Sequence, residues 1–248
     1  MNDSHDNDQA WFKRWFNQEY LDLYDHRTDQ AACHEAKFIE QALMLKPENR
    51  LLDVACGNGR HLLYLKSQGY DVFGADLSFD LLKIANQSER FPGRLVRYDM
   101  RWPCFKTKSF DAVISMFTSF GYFASDAEHL AVLIEINKIL KNQGRLFFDF
   151  FNIDYVLKNI KPKTEKETSL GRVCEYREYN SETKRVKKII NLLDKNKTYT
   201  ESVRAFNLDE LKKMFIDSDF IIEEIYGDFS GAKFSIDSER LIICAKKK

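Results

Sequence analysis

The sequence lacks a net charge, a cluster of metal-ligating side chains and a long hydrophobic run. Lysine and arginine total 38, as do aspartate and glutamate, so no basic field attracts a phosphate backbone and nucleic acid is disfavoured as a partner. The five cysteines are scattered and form no cluster with the histidines, which predicts no metal site and reduced thiols in the cytoplasm. No apolar stretch approaches the ~20 residues of a membrane helix, and the polar start predicts neither export nor anchoring.

An apolar run that breaks into two glycines is the most informative pattern present. Residues 51–55 are apolar apart from Asp53, and Gly57 and Gly59 follow. This pattern predicts a buried strand, a tight turn and a helix over 60–68, because glycine permits backbone conformations and close ligand approach that a Cβ would block. Turns of this kind are nucleotide sites in parallel α/β sheets.

Two classes of nucleotide site compete for this turn. A dinucleotide-binding fingerprint needs a third glycine where this chain has Leu62. Here Asp53 precedes the glycines, and Asp76 ends the predicted second strand, where a carboxylate can accept both hydroxyls of a ribose. The missing glycine disfavours a nicotinamide-dependent oxidoreductase, which stays as an alternative beside a cofactor-binding module without catalysis.

The combination of Asp53, the CGNG turn at 56–59, Asp76 and Asp99 resembles the class I S-adenosylmethionine-dependent methyltransferases. The order and spacing of these motifs fit that family, and the resemblance covers most of the chain. It implies S-adenosylmethionine as cofactor and S-adenosylhomocysteine as product. It also implies an α/β fold, a doubly wound seven-stranded sheet in the order 3-2-1-4-5-7-6 with strand 7 antiparallel, within one methyltransferase domain over 1–248.

The resemblance assigns a role to each matching position. The glycine turn is expected to pass the methionine end of the cofactor, Asp76 to hold the ribose and Leu77 to pack on the adenine. Asp99 and Met100 are expected to meet the adenine amino group and face, and Phe117 to lie beside the sulfonium, where aromatic faces suit a cation. The cofactor-binding residues predicted in this way are Tyr20, Arg27, Asp53, Cys56, Gly57, Asn58, Gly59, Asp76, Leu77, Asp99, Met100, Met116 and Phe117.

Each of these positions also has a purely structural interpretation. Asp76 or Asp99 alone is commonly a helix cap or a solvated turn residue. The aromatic run over 117–123 is more often core than cofactor site, and Phe123 is assigned to the core. The order of the motifs therefore carries the prediction, and no single residue does.

Two segments lie outside the minimal plan. Residues 8–30 place aromatic side chains at helical spacing. They predict either a helix covering an edge of the core or, as the resemblance implies, part of an N-terminal helical lid over 1–35. Residues 163–206 break the strand–helix alternation and predict an antiparallel β subdomain inserted over the active site. Such an insertion resembles the small-molecule branch of the family, which includes enzymes that N-methylate amino sugars.

The predicted chemistry is one in-line displacement, in which positioning the acceptor supplies most of the acceleration. A base is needed only for a hydroxyl or a protonated amine. The catalytic candidates are Tyr20, Tyr122 and Asp149, with Asn152 and His26 as further ones. We expect methyl transfer to a nitrogen or oxygen atom of a small molecule, with nitrogen favoured; an RNA or protein acceptor is the alternative. The sequence leaves open the acceptor and the choice between monomer and homodimer.

Overall fold

The computed structural model describes residues 10–248. Residues 1–9, part of the predicted lid segment, lie outside the described residues. The strands are β1 (Arg50–Val54), β2 (Asp71–Asp76), β3 (Leu95–Arg97), β4 (Phe110–Ser115), β5 (Leu140–Phe151), β6 (Lys163–Thr168), β7 (Gly171–Asn180), β8 (Arg185–Leu192), β9 (Lys197–Arg204), β10 (Phe220–Tyr226) and β11 (Arg240–Lys247). The helices are α1 (Phe12–Trp15), α2 (Gln18–Leu23), α3 (Asp29–Ala42), α4 (Arg60–Ser67), α5 (Phe79–Ala85), α6 (Asp126–Ile139), α7 (Ile153–Asn159) and α8 (Leu208–Asp217).

Seven strands form the central sheet, in the order β3-β2-β1-β4-β5-β11-β10. Neighbours from β3 to β5 run parallel, whereas β11 runs antiparallel to both β5 and β10. With β10 counted as the sixth strand and β11 as the seventh, the sheet confirms the predicted order 3-2-1-4-5-7-6. Strand β1 lies near its middle and is buried from Leu51 to Val54, so the glycine turn that follows β1 is held at the centre of one sheet edge.

The helix starts follow the capping signals of the sequence. Ser125 and Asn207 both form complete capping boxes, with Glu128 and Glu210 three residues later, and each box satisfies backbone N–H groups that the first helical turn leaves free. Glycine commonly follows a helix, so Gly144 predicts the end of helix α6, but the helix ends five residues earlier, at Ile139. The chain becomes extended directly after it and enters β5.

The aromatic segment over 8–30 is not one continuous helix. Asn17 interrupts it with an extended backbone conformation, and its side chain caps α2 by accepting a hydrogen bond from Tyr20 N. Thr28 caps α3 in the same way. The aromatic spacing therefore belongs to two short helices, whose apolar side chains face the core. No helix within residues 10–248 is long and apolar enough to cross a membrane.

The insertion forms a separate antiparallel sheet in the order β6-β7-β8-β9. Its last strand packs on the N-terminal helices: the indole of Trp11 donates to Ser202 O at 3.1 Å and that of Trp15 donates to Glu201 Oε1 at 2.6 Å. The sheet also meets the core where Arg204 N donates to Gly121 O at 2.7 Å. The inserted sheet therefore packs against the N-terminal helices and is joined to them by hydrogen bonds.

Candidate active site

A cavity of about 390 Å³ lies at the carboxyl ends of β1, β2 and β4, with α1 and α2 over it. Strand order reverses between β1 and β4, and open α/β sheets bind ligands at such a point. Thirteen of the predicted site residues line the cavity: Tyr20, Arg27, Asp53, Cys56, Gly57, Asn58, Asp76, Leu77, Asp99, Met100, Met116, Phe117 and Tyr122. Two predicted site residues, Gly59 and Asp149, do not line it.

The glycine turn is built from left-handed backbone conformations. Ala55, Gly57 and Gly59 have φ angles of 60°, 55° and 77°. A Cβ on Gly59 would lie 3.2 Å from the Cβ of Ala85, so Gly59 is needed for the turn and for packing against α5. The structure thus moves Gly59 from the predicted cofactor contact to a supporting position beneath the cavity.

Asp76 lies at the end of β2, as predicted, and its carboxylate already organises the turn. One oxygen accepts from Gly57 N at 2.8 Å and the other from Ser78 N at 2.7 Å. Burial raises the pKa of Asp76, and these backbone hydrogen bonds oppose the rise. Each carboxylate oxygen retains a further lone pair for a ligand hydroxyl.

The Asp53 carboxylate lies in the cavity lining, near the end of β1. Its side chain is buried, and neither oxygen has a hydrogen-bond partner within the described part of the chain. Burial raises the pKa of Asp53 well above its usual range, and the nearby Asp76 adds to the rise. A buried carboxylate without a donor is costly, so a cationic donor in the cavity would stabilise this arrangement.

Arg27 brings a positive charge to the same cavity. Its guanidinium donates to the Tyr20 hydroxyl at 2.6 Å and lies over the rings of Tyr24 and Phe117, at 4.4 Å and 4.9 Å from their centroids. No carboxylate among residues 10–248 forms an ion pair with it. Arg60, which the sequence argument missed although it directly follows the glycine turn, lies 5.5 Å from the centroid of the Phe117 ring. Arg27 is therefore available to an anionic group.

Phe117 enters the cavity from an unusual turn after β4. Phe117 and Thr118 both have left-handed backbone angles, with φ of 53° and 62°. Such a conformation costs about 1–3 kcal/mol for each non-glycine residue. The Phe117 ring faces the two arginines and also His61, whose ring centroid lies 5.6 Å away. The neighbouring Met116, which is buried, completes this wall.

Asp149 was predicted as a catalytic base, and the structure corrects this assignment. Its side chain is fully buried outside the cavity and forms an ion pair with Arg240 at 2.7 Å. Its other carboxylate oxygen accepts from Phe117 N at 2.7 Å. The strand-end position was predicted correctly, but the side chain points into the sheet edge and cannot reach a substrate in the cavity.

Two further base candidates also lie away from the cavity lining. The side-chain amide of Asn152 donates to Ile236 O and Ser238 O, at 3.0 Å and 2.8 Å, and therefore fixes the loop before β11. His26 is exposed. The sequence could not separate these residues from cavity residues, because strand-end position does not determine side-chain direction.

The tyrosines of the cavity are hydrogen-bond donors at neutral pH. Burial raises the pKa of Tyr20, and it raises the pKa values of Tyr24 and Tyr122 well above the ordinary phenol value. The Tyr24 hydroxyl donates to Glu201 at 2.9 Å and accepts from Lys188 at 2.7 Å. Tyr20 and Tyr122 therefore fit roles in orientation better than the predicted role of a general base.

The remaining predicted contacts are Asp99 and Met100, which closely follow β3. Asp99 is paired with Arg101 at 2.7 Å and lines the cavity beside Met100. Hydrogen bonds and charge from Arg101 lower the pKa of Asp99 although burial acts to raise it. Asp99 is therefore ionised at neutral pH and keeps the capacity to accept from an amino group.

Comparison with known proteins places this arrangement in a family. Residues 52–148 match the family model described as a methyltransferase domain. A glycine/sarcosine N-methyltransferase from Halorhodospira halochloris is 26% identical over 245 residues, which cover 94% of this chain and 90% of that protein. A dTDP-3-amino-3,4,6-trideoxy-alpha-D-glucopyranose N,N-dimethyltransferase from Streptomyces venezuelae is 36% identical over 129 residues, 45% of this chain and 53% of that enzyme.

Solved structures show the same fold. A S-adenosylmethionine-dependent methyltransferase from Clostridium acetobutylicum superposes with a TM-score of 0.75 at 22% identity, covering 92% of this chain and 98% of that one. Residues 52–148 therefore form a methyltransferase domain, and the central sheet and the full-length relatives support a class I S-adenosylmethionine-dependent methyltransferase.

Proposed function

We propose that the enzyme transfers the methyl group of S-adenosylmethionine to an amino nitrogen of a small molecule bound in the cavity. The observation that carries the proposal is a pair of charged groups in the cavity lining that form no ion pair within residues 10–248: the Asp53 carboxylate, which has no hydrogen-bond partner there, and the Arg27 guanidinium, which donates to a neutral tyrosine hydroxyl. The methionine end of the cofactor carries an ammonium and a carboxylate, which complement these two groups. When bound, the cofactor supplies an electrophilic methyl group on a sulfonium.

The other cofactor contacts follow from the residues around these two. The free lone pairs of Asp76 would accept the ribose hydroxyls. Leu77 and Met100 offer apolar surface to an adenine, and Asp99 offers an acceptor for its amino group. Each of these residues ends β2 or closely follows β2 or β3, so their relative placement is fixed by the sheet.

The dimensions of the cavity favour a small acceptor over a polymer. Its volume of about 390 Å³ lies at the lower end of the ~300–1,000 Å³ typical of small-molecule sites. The N-terminal helices cover it, and Phe12, Phe16 and Tyr20 line this cover. A groove for RNA or for a folded protein would need an open surface at this position.

Nitrogen is favoured over oxygen as the acceptor atom. A hydroxyl acceptor requires a base to remove its proton, whereas a neutral amine attacks through its lone pair. Tyr20 and Tyr122 retain their own protons because burial raises their pKa values. The relatives described as glycine/sarcosine and amino-sugar N-methyltransferases support an amine as well.

The test is a substrate screen with S-adenosylmethionine and a panel of small amines, matched hydroxyl compounds, RNA and protein. Methylated products would be detected by mass. We expect methylation of at least one amine and none of its hydroxyl analogue. Methylation confined to hydroxyl compounds, RNA or protein would overturn the proposal. The panel would include glycine, sarcosine and amino sugars, the acceptors named for the relatives.

A further inference from the structure

We infer that Asp149 and Arg240 are positioning residues that hold the left-handed turn at Phe117 and Thr118, and through it one wall of the cavity. This role rests on the proposed function, because the wall is useful only if methyl transfer takes place against it. Asp149 does not line the cavity, so it acts through Phe117 and does not contact the reacting atoms.

The turn does not form from local preference. Bulky and β-branched residues rarely adopt left-handed backbone angles, yet Phe117 and Thr118 adopt them in succession. A conformation of this kind persists only where surrounding contacts determine it. The turn therefore needs partners that bind its backbone groups in this conformation and in no other.

Asp149 supplies both of those partners. Its carboxylate accepts from Phe117 N at 2.7 Å, and its backbone carbonyl accepts from Thr118 N at 3.1 Å. The two consecutive amides of the turn are thus bound to one residue of β5. A charged acceptor makes a stronger hydrogen bond to an amide than a neutral one does.

Arg240 orients that carboxylate from the neighbouring strand β11. It donates from Nε and Nη2 to Asp149 Oδ1, at 2.8 Å and 2.7 Å, which leaves Oδ2 for the turn. Nη2 also lies 3.3 Å from Thr118 Oγ1, which accepts from Phe151 N at 3.1 Å as well. The arginine therefore contacts both the carboxylate and the turn.

The wall that results holds the charged groups of the cavity in place. The Phe117 ring lies under the guanidinium groups of Arg27 and Arg60, at 4.9 Å and 5.5 Å from its centroid. If the turn relaxed to ordinary backbone angles, the ring would leave this position. An error of about 1 Å in the placement of reactants can cost a hundredfold in rate, so release of the turn would slow methyl transfer.

The test compares Asp149→Asn, Thr118→Gly and the double variant. Asparagine weakens the hold on the turn, and we expect kcat/KM for the amine acceptor to fall by ~10- to 100-fold. Glycine adopts left-handed angles without strain. In the Asp149→Asn background, Thr118→Gly should therefore recover at least half of that loss in kcat/KM, measured on a logarithmic scale. The effect of Thr118→Gly alone is subtracted first. A glycine at position 118 could not replace the missing carboxylate of a general base.

Glu210→Gln is the matched control, because it removes a carboxylate paired with Arg204 at 2.9 Å outside the cavity. It should lower the melting temperature and leave kcat/KM unchanged. Arg240→Lys provides a second route if Asp149→Asn does not fold, and it should show the same loss and the same recovery by Thr118→Gly. Either of two results would overturn the inference. One is a wild-type kcat/KM in Asp149→Asn. The other is a double variant whose kcat/KM is no higher than the sum of the two single effects on a logarithmic scale.

Crystal structures of the same variants separate this inference from the proposed function. Loss of the left-handed angles at Phe117 and Thr118 in Asp149→Asn supports the positioning role even if no amine is methylated by the wild type. Retention of those angles in Asp149→Asn overturns it, whatever the acceptor. A failed amine screen with a displaced turn would reject only the proposed acceptor.

Discussion

The end of the cavity that we propose for the cofactor, the cofactor end, and the roof above it are assembled from different ranges of sequence. The cofactor end comes from β1, the glycine turn and Asp76, all within about 25 residues, and backbone conformation shapes it. The roof joins α1 and α2 to β9: Trp15 and Tyr24 both donate to Glu201, more than 170 residues away. A local motif thus determines the cofactor end, and long-range side-chain pairs determine the roof.

Ion pairs between α2 and the inserted segment also hold the roof in place. Glu19 of α2 contacts Lys195 and Lys197 at 3.2 Å and 2.9 Å and accepts from Tyr199. Although burial acts to raise it, hydrogen bonds from Tyr199 and the lysines lower the pKa of Glu19 to about 2. The two ends should therefore respond differently to substitution and to pH.

The largest expected effect is at the cofactor end. Asp53→Asn should weaken binding of S-adenosylmethionine by about 2–5 kcal/mol, because it removes one partner of a buried charge pair. Isothermal titration calorimetry would measure the change. Asp111→Asn is the control, since this carboxylate pairs with Lys141 at 2.8 Å away from the cavity. Equal affinities for the wild type and Asp53→Asn would remove Asp53 from the cofactor site.

His129 of α6 is buried in the core and should make stability depend on pH. Its ring is buried against Phe123 and Phe206 and accepts from Phe123 N. Burial lowers the pKa of His129 from 6.5 to about 4. The unfolded chain then binds more protons between these values, so this contribution is present above pH 6.5 and is lost as pH falls toward 4.

That loss should amount to about 2 kcal/mol between pH 7 and pH 5. Urea unfolding of the wild type and of His129→Gln at both pH values would isolate it, because all other groups titrate in both proteins. Glutamine keeps an acceptor for Phe123 N. An identical pH dependence in the two proteins would show that His129 is protonated in the folded state.

Asp76→Asn should weaken cofactor binding by about 1–3 kcal/mol, less than Asp53→Asn. A charged acceptor of ribose hydrogen bonds becomes a neutral one, and one of the two oxygens that accept from Gly57 N and Ser78 N is replaced by an NH2 group. Calorimetry with S-adenosylhomocysteine would give the difference. A larger loss for Asp76→Asn than for Asp53→Asn would reverse the ranking of the two carboxylates.

The smallest expected effect separates the roof from the cofactor end. Glu201→Gln keeps the shape of the side chain but weakens its hydrogen bonds to Trp15 and Tyr24, by about 1 kcal/mol. We expect KM for the acceptor to rise several-fold with the cofactor affinity within twofold. Steady-state kinetics and calorimetry on one preparation would show this. Equal weakening of both ligands would mean that the roof and the cofactor end act as one unit.

The parts that could be predicted from the sequence are those that local spacing determines. Asp76 and Asp99 follow strands, and strands with a common direction bring their ends together, so both were correctly expected at one sheet edge. Strand β6 gives no alternating pattern of its own, because its residues, KTEKET, are polar on both faces. The division of the N-terminal segment at Asn17 was missed because the aromatic spacing continues across the break.

Side-chain direction and distant pairing account for the remaining errors. Successive side chains of a strand point to opposite faces, so Asp149 was placed at the correct strand end but on the wrong side of it. Glu201 carries no local signal, since its partners Trp15 and Tyr24 lie far away in the chain. Arg60 could have been found, because the first residue of a helix after a glycine turn faces the ligand edge.

The turn at Phe117 and Thr118 has a consequence for the order in which the site matures during synthesis. Asp149 is present once β5 has been made, but Arg240 follows 91 residues later, on β11. A ribosome-bound chain that ends before Arg240 therefore has its glycine turn but lacks the arginine that orients the carboxylate. The nascent protein would acquire the elements of its cofactor end first and the wall for methyl transfer only when β11 inserts between β5 and β10.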